Sequence, residues 1–216
     1  MWNSSSECRV VRELCDDRLC PYEDEESDWS PIHDVVFNGR ILTLQKLITQ
    51  VNSSTVDGRT ALTEACSKGH VACVLLLLQH GASPQGRDWS SSPIHWAAAK
   101  GHPECVKALV QHRADVDQHI DKLGSPLHLA CTSQQLSTVR KLLFSPSGAN
   151  VNRDVAGESP LHTAARLSSP ELVSVLLDHG ADRLLVNSEG KRPLDLTSPD
   201  SETWRLLKEA GGSQTK

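Results

Sequence analysis

This sequence has few aromatic residues, no long apolar run and no even-numbered set of cysteines. Phe, Tyr and Trp make up 4% of its 216 residues. Its core must therefore be assembled from Leu, Val, Ala and Cys, which suits thin layers of helix. No stretch approaches the ~20 consecutive apolar residues of a membrane-crossing helix, and residues 1–6 do not lead into a signal-peptide core. The seven cysteines fall at irregular spacing. An odd, irregular set points to reduced thiols in the cytosol or nucleus rather than a secreted disulfide scaffold. Asn3-Ser4-Ser5 and Asn52-Ser53-Ser54 match the glycosylation sequon, which only a secreted chain would use. A basic excess is also missing. Residues 1–28 hold nine acidic and three basic side chains, leaving 18 and 19 in the remainder of a chain whose net charge is −5. That balance lacks the basic footprint of a nucleic-acid binder.

What the sequence does have is an echo. Ser30-Pro31-Ile32-His33 returns as Ser92-Pro93-Ile94-His95, Ser125-Pro126-Leu127-His128 and Ser159-Pro160-Leu161-His162. Thr60-Ala61-Leu62-Thr63 and Arg192-Pro193-Leu194-Asp195 are degenerate copies, and the spacings are 30, 32, 33, 34 and 33 residues. A motif of this kind at a period near 33 resembles stacked ankyrin repeats. The fold class expected is an all-α repeat, an ankyrin-repeat solenoid of about six helix-turn-helix repeats with β-hairpin loops. The expected boundaries are 29–56, 57–89, 90–121, 122–155, 156–188 and 189–210, after an N-terminal segment 1–28 and before a tail 211–216.

The third repeat shows the local chemistry. Ser92 is suited to an N-cap, its hydroxyl accepting from a free backbone N–H, and Pro93 fits the first helical position. Ile94, Ala97 and Ala98 share one face, where small side chains allow close approach. Gly101-His102 should close the first helix, and Cys105, Val106, Leu109 and Val110 recur at helical spacing as the stripe of the second. Val74/Leu77/Leu78, Val139/Leu142/Leu143 and Val173/Leu176/Leu177 play that part elsewhere. Gly81, Gly148 and Gly180 suit the left-handed residue after the second helix. Arg113 stands at that position in the third repeat, at a cost of about 1 kcal/mol if it is left-handed.

The repeat register absorbs residues that might otherwise suggest chemistry. His33, His95, His128 and His162 fall at first-helix starts, His70 and His102 at inter-helix turns, and His80, His112 and His179 at second-helix ends. His119 alone lies off-register. Cys66, Cys73, Cys105 and Cys131 occupy apolar positions and read as small hydrophobes. Cys8, Cys15 and Cys20 fit no zinc pattern; with Val11, Leu14 and Leu19 they suggest a short amphipathic helix that caps the first repeat or docks on a partner. Glu23-Asp24-Glu25-Glu26 reads as a solvated linker or a tether to a basic patch. No nucleophile–base pair, phosphate loop or carboxylate pair stands out, so neither an enzyme nor a cofactor or metal site is expected.

A solenoid presents its hairpin tips and the outward side of its first helices as one concave surface. The tips fall near 57–59, 87–91, 120–122, 154–156 and 188–191. The candidate partner-binding residues are Trp29, Asp34, Arg59, Glu64, Lys68, Arg87, Trp89, Trp96, Lys100, Lys122 and Arg166. Trp and Arg are frequent interface hot spots. The tryptophans either anchor a partner or cover a neighbouring repeat.

Several segments resemble the ankyrin-repeat and SOCS-box family over about residues 27–210. They are Ser27-Asp28-Trp29-Ser30-Pro31-Ile32-His33, Gly69-His70-Val71-Ala72-Cys73-Val74, Leu123-Gly124-Ser125-Pro126-Leu127-His128-Leu129-Ala130-Cys131 with Gln134-Gln135, and Glu189-Gly190-Lys191-Arg192-Pro193-Leu194. The resemblance implies a substrate receptor of a cullin-RING ubiquitin ligase, holding a protein substrate on its ankyrin surface. In that family a C-terminal SOCS box recruits elongins B and C and the cullin. Gly211-Gly212-Ser213-Gln214-Thr215-Lys216 is too short for such a box, so elongin and cullin are expected as partners only of a longer form. The competing expectation is a plain ankyrin scaffold that masks a signalling or transcription factor. Neither nucleic acid nor membrane is an expected partner.

Overall fold

A computed structural model describes residues 31–38, 40, 51–86, 88, 90–120, 123–144, 148–153 and 157–209. The N-terminal segment with Cys8, Cys15, Cys20 and the acidic run lies outside them. Among the described residues the helices are α1 (Pro31–Phe37), α2 (Ala61–Lys68), α3 (Val71–Gln79), α4 (Pro93–Lys100), α5 (Pro103–Gln111), α6 (Pro126–Thr132), α7 (Leu136–Leu143), α8 (Pro160–Arg166), α9 (Pro170–Asp178) and α10 (Glu202–Glu209). A 3-10 turn, Pro193–Leu196, precedes α10. The first helices α1, α2, α4, α6 and α8 pack side by side and end against the 3-10 turn. The second helices α3, α5, α7, α9 and α10 form the other layer. This is an ankyrin-repeat domain.

The small residues set the spacing between layers. Ala61, Ala65, Ala97, Ala98, Ala130, Ala164 and Ala165 are fully buried on the first helices. Against them lie the buried stripes Cys73/Val74/Leu77, Cys105/Val106/Leu109, Val139/Leu142 and Leu172/Val173/Leu176. Val35 and Val36, which replace the small pair in α1, are also buried. Each helix pair would leave an apolar face open by itself, so stacking completes the core.

The repeat histidine does more than start a helix. His33 Nε2 donates to the Arg59 carbonyl, His95 Nε2 to Gly124 and His162 Nε2 to Lys191, each at 3.1 Å. Every one of these carbonyls belongs to the hairpin that leads into the next repeat. With Nε2–H committed, Nδ1 accepts: Ser92 Oγ reaches His95 Nδ1 at 2.7 Å and Ser159 Oγ reaches His162 Nδ1 at 2.7 Å. The expected backbone cap on Ser92 is not made; its hydroxyl contacts His95 Nδ1 and the Gln118 side chain instead. Thr63 and Asp195 keep only the local half of the arrangement, taking the backbone N–H of Thr60 at 2.9 Å and of Arg192 at 2.9 Å.

A second set of ties runs backwards. His70 Nε2 donates to Phe37 O at 3.1 Å and His102 Nε2 to Ser67 O at 3.2 Å, satisfying carbonyls at the ends of α1 and α2. These rings pass close to the preceding turn. A Cβ on Gly69 would lie 2.6 Å from His102 Nδ1, and one on Gly101 would strike the Gln135 amide. Asparagines stitch the loop bases. Asn52 donates to Gly81 O at 3.1 Å and accepts from Ser83 N at 3.0 Å. Asn152 does the same with Gly180 O at 3.3 Å and Asp182 N at 2.7 Å.

Among the described residues the expected hairpins are isolated β-bridges, as between Ser54 and Thr60 and between Ile120 and Gly124. The chain reverses too tightly to pair further: Gly58 N already bonds Thr55 O at 2.9 Å, and Gly190 N bonds Asn187 O at 2.9 Å. The last repeat's first helix shrinks to the 3-10 turn, where Asp195 keeps the local N-cap bond to Arg192.

Arg113 is left-handed, with φ 66°, as are Gln134 (φ 55°) and Ser168 (φ 51°). Glycine occupies these registers elsewhere, as Gly81 and Gly180 or Gly69 and Gly101 do. Arg113→Gly should therefore raise stability by about 1 kcal/mol, or roughly 3 °C in Tm for a chain of this size. Thermal melts of the two proteins check this; an unchanged or lower Tm would mean the Arg113 side chain offsets its own backbone strain.

Candidate functional site

The first helices end in two adjacent registers that face out of the repeat stack. Along α1, α2, α4, α6 and α8 one register reads Phe37, Ser67, Ala99, Thr132 and Arg166; the next reads Asn38, Lys68, Lys100, Ser133 and Leu167. Lys68, Lys100 and Arg166 are all exposed. The residue after the repeat histidine forms a third register, with Trp96 and Leu129 half-buried on the neighbouring helices α4 and α6. Asp34 belongs to it on α1. Trp29, Arg87, Trp89 and Lys122 lie outside the described residues.

Arg59 and Glu64 have an arrangement that sequence spacing does not suggest. Glu64 is buried, its side chain 3% exposed, and its Oε2 accepts from Arg59 Nη1 at 2.7 Å. Placing a carboxylate there is costly unless it is paired, and Arg59 supplies the pair. The same guanidinium lies over the Trp96 ring, 4.2 Å from its centroid. Arg59, 27% exposed, is thus held between a carboxylate of its own repeat and an aromatic ring of the next. Lys68 repeats the theme one helix earlier, its Nζ 4.0 Å from the centroid of Phe37. Each contact bridges two repeats, and cation–π contacts of this kind contribute roughly 0.5–1 kcal/mol at exposed sites. Arg166 pairs with Glu158 through Nη2.

So the structure gathers Arg59, Glu64 and Trp96 into one stack, lines up Lys68 and Lys100 beside it, and sets Arg166 further along. Glu64 acts inside the protein, as the counter-charge that orients Arg59. Trp96 covers the preceding hairpin through Arg59 while leaving part of its surface open.

The histidines and cysteines have structural surroundings. Burial holds the His95 imidazole down to about 4, against hydrogen bonds to Gly124 and Gln118 that pull it up. Burial likewise lowers His33 and His128. His128 differs from its counterparts: its backbone N–H donates to Ser125 Oγ at 3.3 Å, and its buried Nδ1 has no partner. Cys66, Cys73, Cys105 and Cys131 are buried free thiols. Desolvation pushes Cys131 up to about 12 and raises Cys66 and Cys73. Raised in this way, Cys66, Cys73 and Cys131 are poor nucleophiles, whereas the hydrogen bond with Cys66 lowers Cys105. A shallow cavity of about 150 Å³ is lined by Asn152, Gly157, Ser159, His162, Leu185 and Val186. It is smaller than the roughly 300–1,000 Å³ usual for small-molecule sites. No described helix is long and apolar enough to cross a membrane.

Comparison with known proteins agrees with this architecture. A model of ankyrin repeats matches three times, over residues 3–88, 84–155 and 127–213. The mouse ankyrin repeat and SOCS box protein 9 is 39% identical over 228 aligned positions, covering 89% of this chain and 78% of that protein. The chain belongs to the ankyrin repeat and SOCS box family. The human ankyrin repeat and SOCS box protein 9 is 47% identical over 98 residues, or 45% of this chain and one third (33%) of its own length. The bovine ankyrin repeat and SOCS box protein 5 is 38% identical over 217 positions, covering 84% of this chain and 65% of that protein. The crystal structure of the human ASB11 ankyrin repeat domain superposes with a TM-score of 0.81 at 32% identity, covering 98% of each chain. This member of the family is thus an ankyrin-repeat protein-interaction module. Its fold class is one that typically acts without catalysing a reaction.

Proposed function

We propose that this chain is the substrate-recognition part of a cullin-RING ubiquitin ligase receptor. It holds a protein substrate on the first-helix face, and the native protein delivers it for ubiquitination through elongins B and C and a cullin bound at a SOCS box. The observation that carries the reading is the continuous outward face of α2, α4 and α6, with aromatic, apolar and basic side chains, in a member of this family. Four buried free thiols suit a reducing compartment, so the cytosol or nucleus is the proposed location.

The test is co-purification of the native protein from cells. Elongins B and C and a cullin should come with it, together with one or more other proteins that accumulate when the receptor is removed. Trp96→Ala should lower recovery of those other proteins roughly tenfold while leaving elongin recovery unchanged. Retained partners without elongin would sink the ligase reading and leave a scaffold that masks its partner. Full partner recovery by Trp96→Ala would sink the assignment of the binding face.

A further inference from the structure

We propose that the first-helix face recognises an acidic segment of a partner protein, its apolar side chains seated on Trp96 and Leu129 and its carboxylates on Lys68 and Lys100. The proposal rests on the reading that this face holds the partner, and it adds the partner's chemistry.

The local charge stands out against a repeat region that is close to neutral. Residues 29–216 hold 19 basic and 18 acidic side chains, yet the two C-terminal registers of α1, α2, α4, α6 and α8 contain Lys68, Lys100 and Arg166 and no Asp or Glu. Lys68 and Lys100 end their helices, where a cation is stabilised by the helix dipole, and both are exposed. Among the described residues no ion pair engages either one, whereas Arg59 and Arg166 are each paired with a glutamate. Lys68 is instead positioned by Phe37, a contact that orients the ammonium without cancelling its charge.

The apolar half of the site lies beside this row. Trp96 and Leu129 are half-buried at the same register of adjacent helices, and Arg59 holds the indole from the side of the preceding hairpin. Glu64 neutralises Arg59 from within, so among the described residues of this stretch the cations without a carboxylate partner are Lys68 and Lys100. A partner bearing Lys or Arg here would meet like charges, whereas Asp or Glu would meet complementary ones.

The probes are three labelled peptides sharing one Leu/Phe spacing, with Glu/Asp, Ser/Asn or Lys/Arg at the intervening positions, measured by fluorescence polarisation on the full chain. The acidic peptide should bind roughly tenfold tighter than the neutral one, and the gap should shrink at high salt. The Lys68→Glu/Lys100→Glu variant should lose that preference and turn towards the basic peptide. Lys107→Glu, an exposed change on α5 in the other layer, should leave it intact. Matching thermal melts show that the variants are folded. An acidic peptide that binds no better than the neutral one, or that ignores the double reversal, overturns the proposal. So does equal competition by a single-stranded oligonucleotide, which would make the site a general anion surface. Neutralising Glu23, Asp24, Glu25 and Glu26 should leave affinity unchanged; a tenfold rise would assign the face to the chain's own acidic run and overturn the partner assignment. Elongin co-purification is independent of peptide charge. Loss of the peptide preference with elongin retained therefore sinks this proposal alone, and the converse sinks only the ligase reading.

Discussion

Taking the protein from neutral pH to about pH 4 should cost the fold about 3 kcal/mol through His95 alone. The imidazole is fully buried and held down to about 4 from its ordinary 6.5, chiefly by desolvation. Its folded pKa is lowered, so between those values the unfolded chain binds a proton that the folded chain refuses. The stability is fully present above pH 6.5, falls as the pH drops below it, and has been lost by the folded pKa near 4. His33 and His128, lowered in the same direction by burial, extend the loss. At roughly 3 °C per kcal/mol, His95 should account for about 10 °C of Tm. The check is a series of thermal melts on the parent chain and on His95→Gln. Glutamine can still donate to Gly124 but does not titrate, so the variant should lose stability at neutral pH and show a shallower acid slope. Parallel acid slopes in the two proteins would show that His95 does not govern the sensitivity.

Leu109→Ala should destabilise by about 3 kcal/mol, because Leu109 is fully buried in the middle of the stack. Its location matters as much as its burial. In a solenoid each repeat contacts only its neighbours, so a fault on α5 weakens contacts on both sides and tends to uncouple the two halves. Leu207, 2% exposed on α10, is flanked on one side only among the described residues, by α9 and the 3-10 turn. Leu207→Ala should fray the end while leaving the main unfolding midpoint closer to that of the parent. Urea unfolding followed by circular dichroism separates these outcomes: a broadened or split transition for Leu109→Ala, a nearly parental one for Leu207→Ala. Identical midpoint losses for both would mean that the stack unfolds as one indivisible unit.

Much of this was legible because the period made each residue comparable with its counterparts. The Ser-Pro-Ile/Leu-His echo located the starts of four first helices, and the apolar stripes located the second helices. Arg113 was recognisable as an intruder in a glycine register, and its φ of 66° agrees. The contacts between repeats were harder to read, for a physical reason. A pattern within one repeat identifies the face a residue occupies, but the Nε2 of His95 finds its partner 29 residues away in another repeat. The offset of 26 to 29 residues from histidine to hairpin carbonyl is regular, so a reader who looked for donors matched to the next copy could have found it. The Arg59–Trp96 stack had no such signal, because neither side chain recurs at its register. Gln134 and Ser168 were missed as left-handed residues because their side chains do not advertise it.

The two-way bonding of the histidines has a consequence for how such a protein can change. The histidines that rivet one repeat to the next point into the stack, whereas the residues of the proposed partner face occupy other registers and point out. On that reading the surface and the histidine ties are written in separate letters of each repeat, with only the Arg59–Trp96 and Lys68–Phe37 contacts shared between them. If the proposed face is correct, exchanging Lys68, Lys100 or Leu129 should alter what the surface prefers while leaving the His95, His102 and His162 ties in place. The scaffold can acquire a new partner without having to learn to fold again.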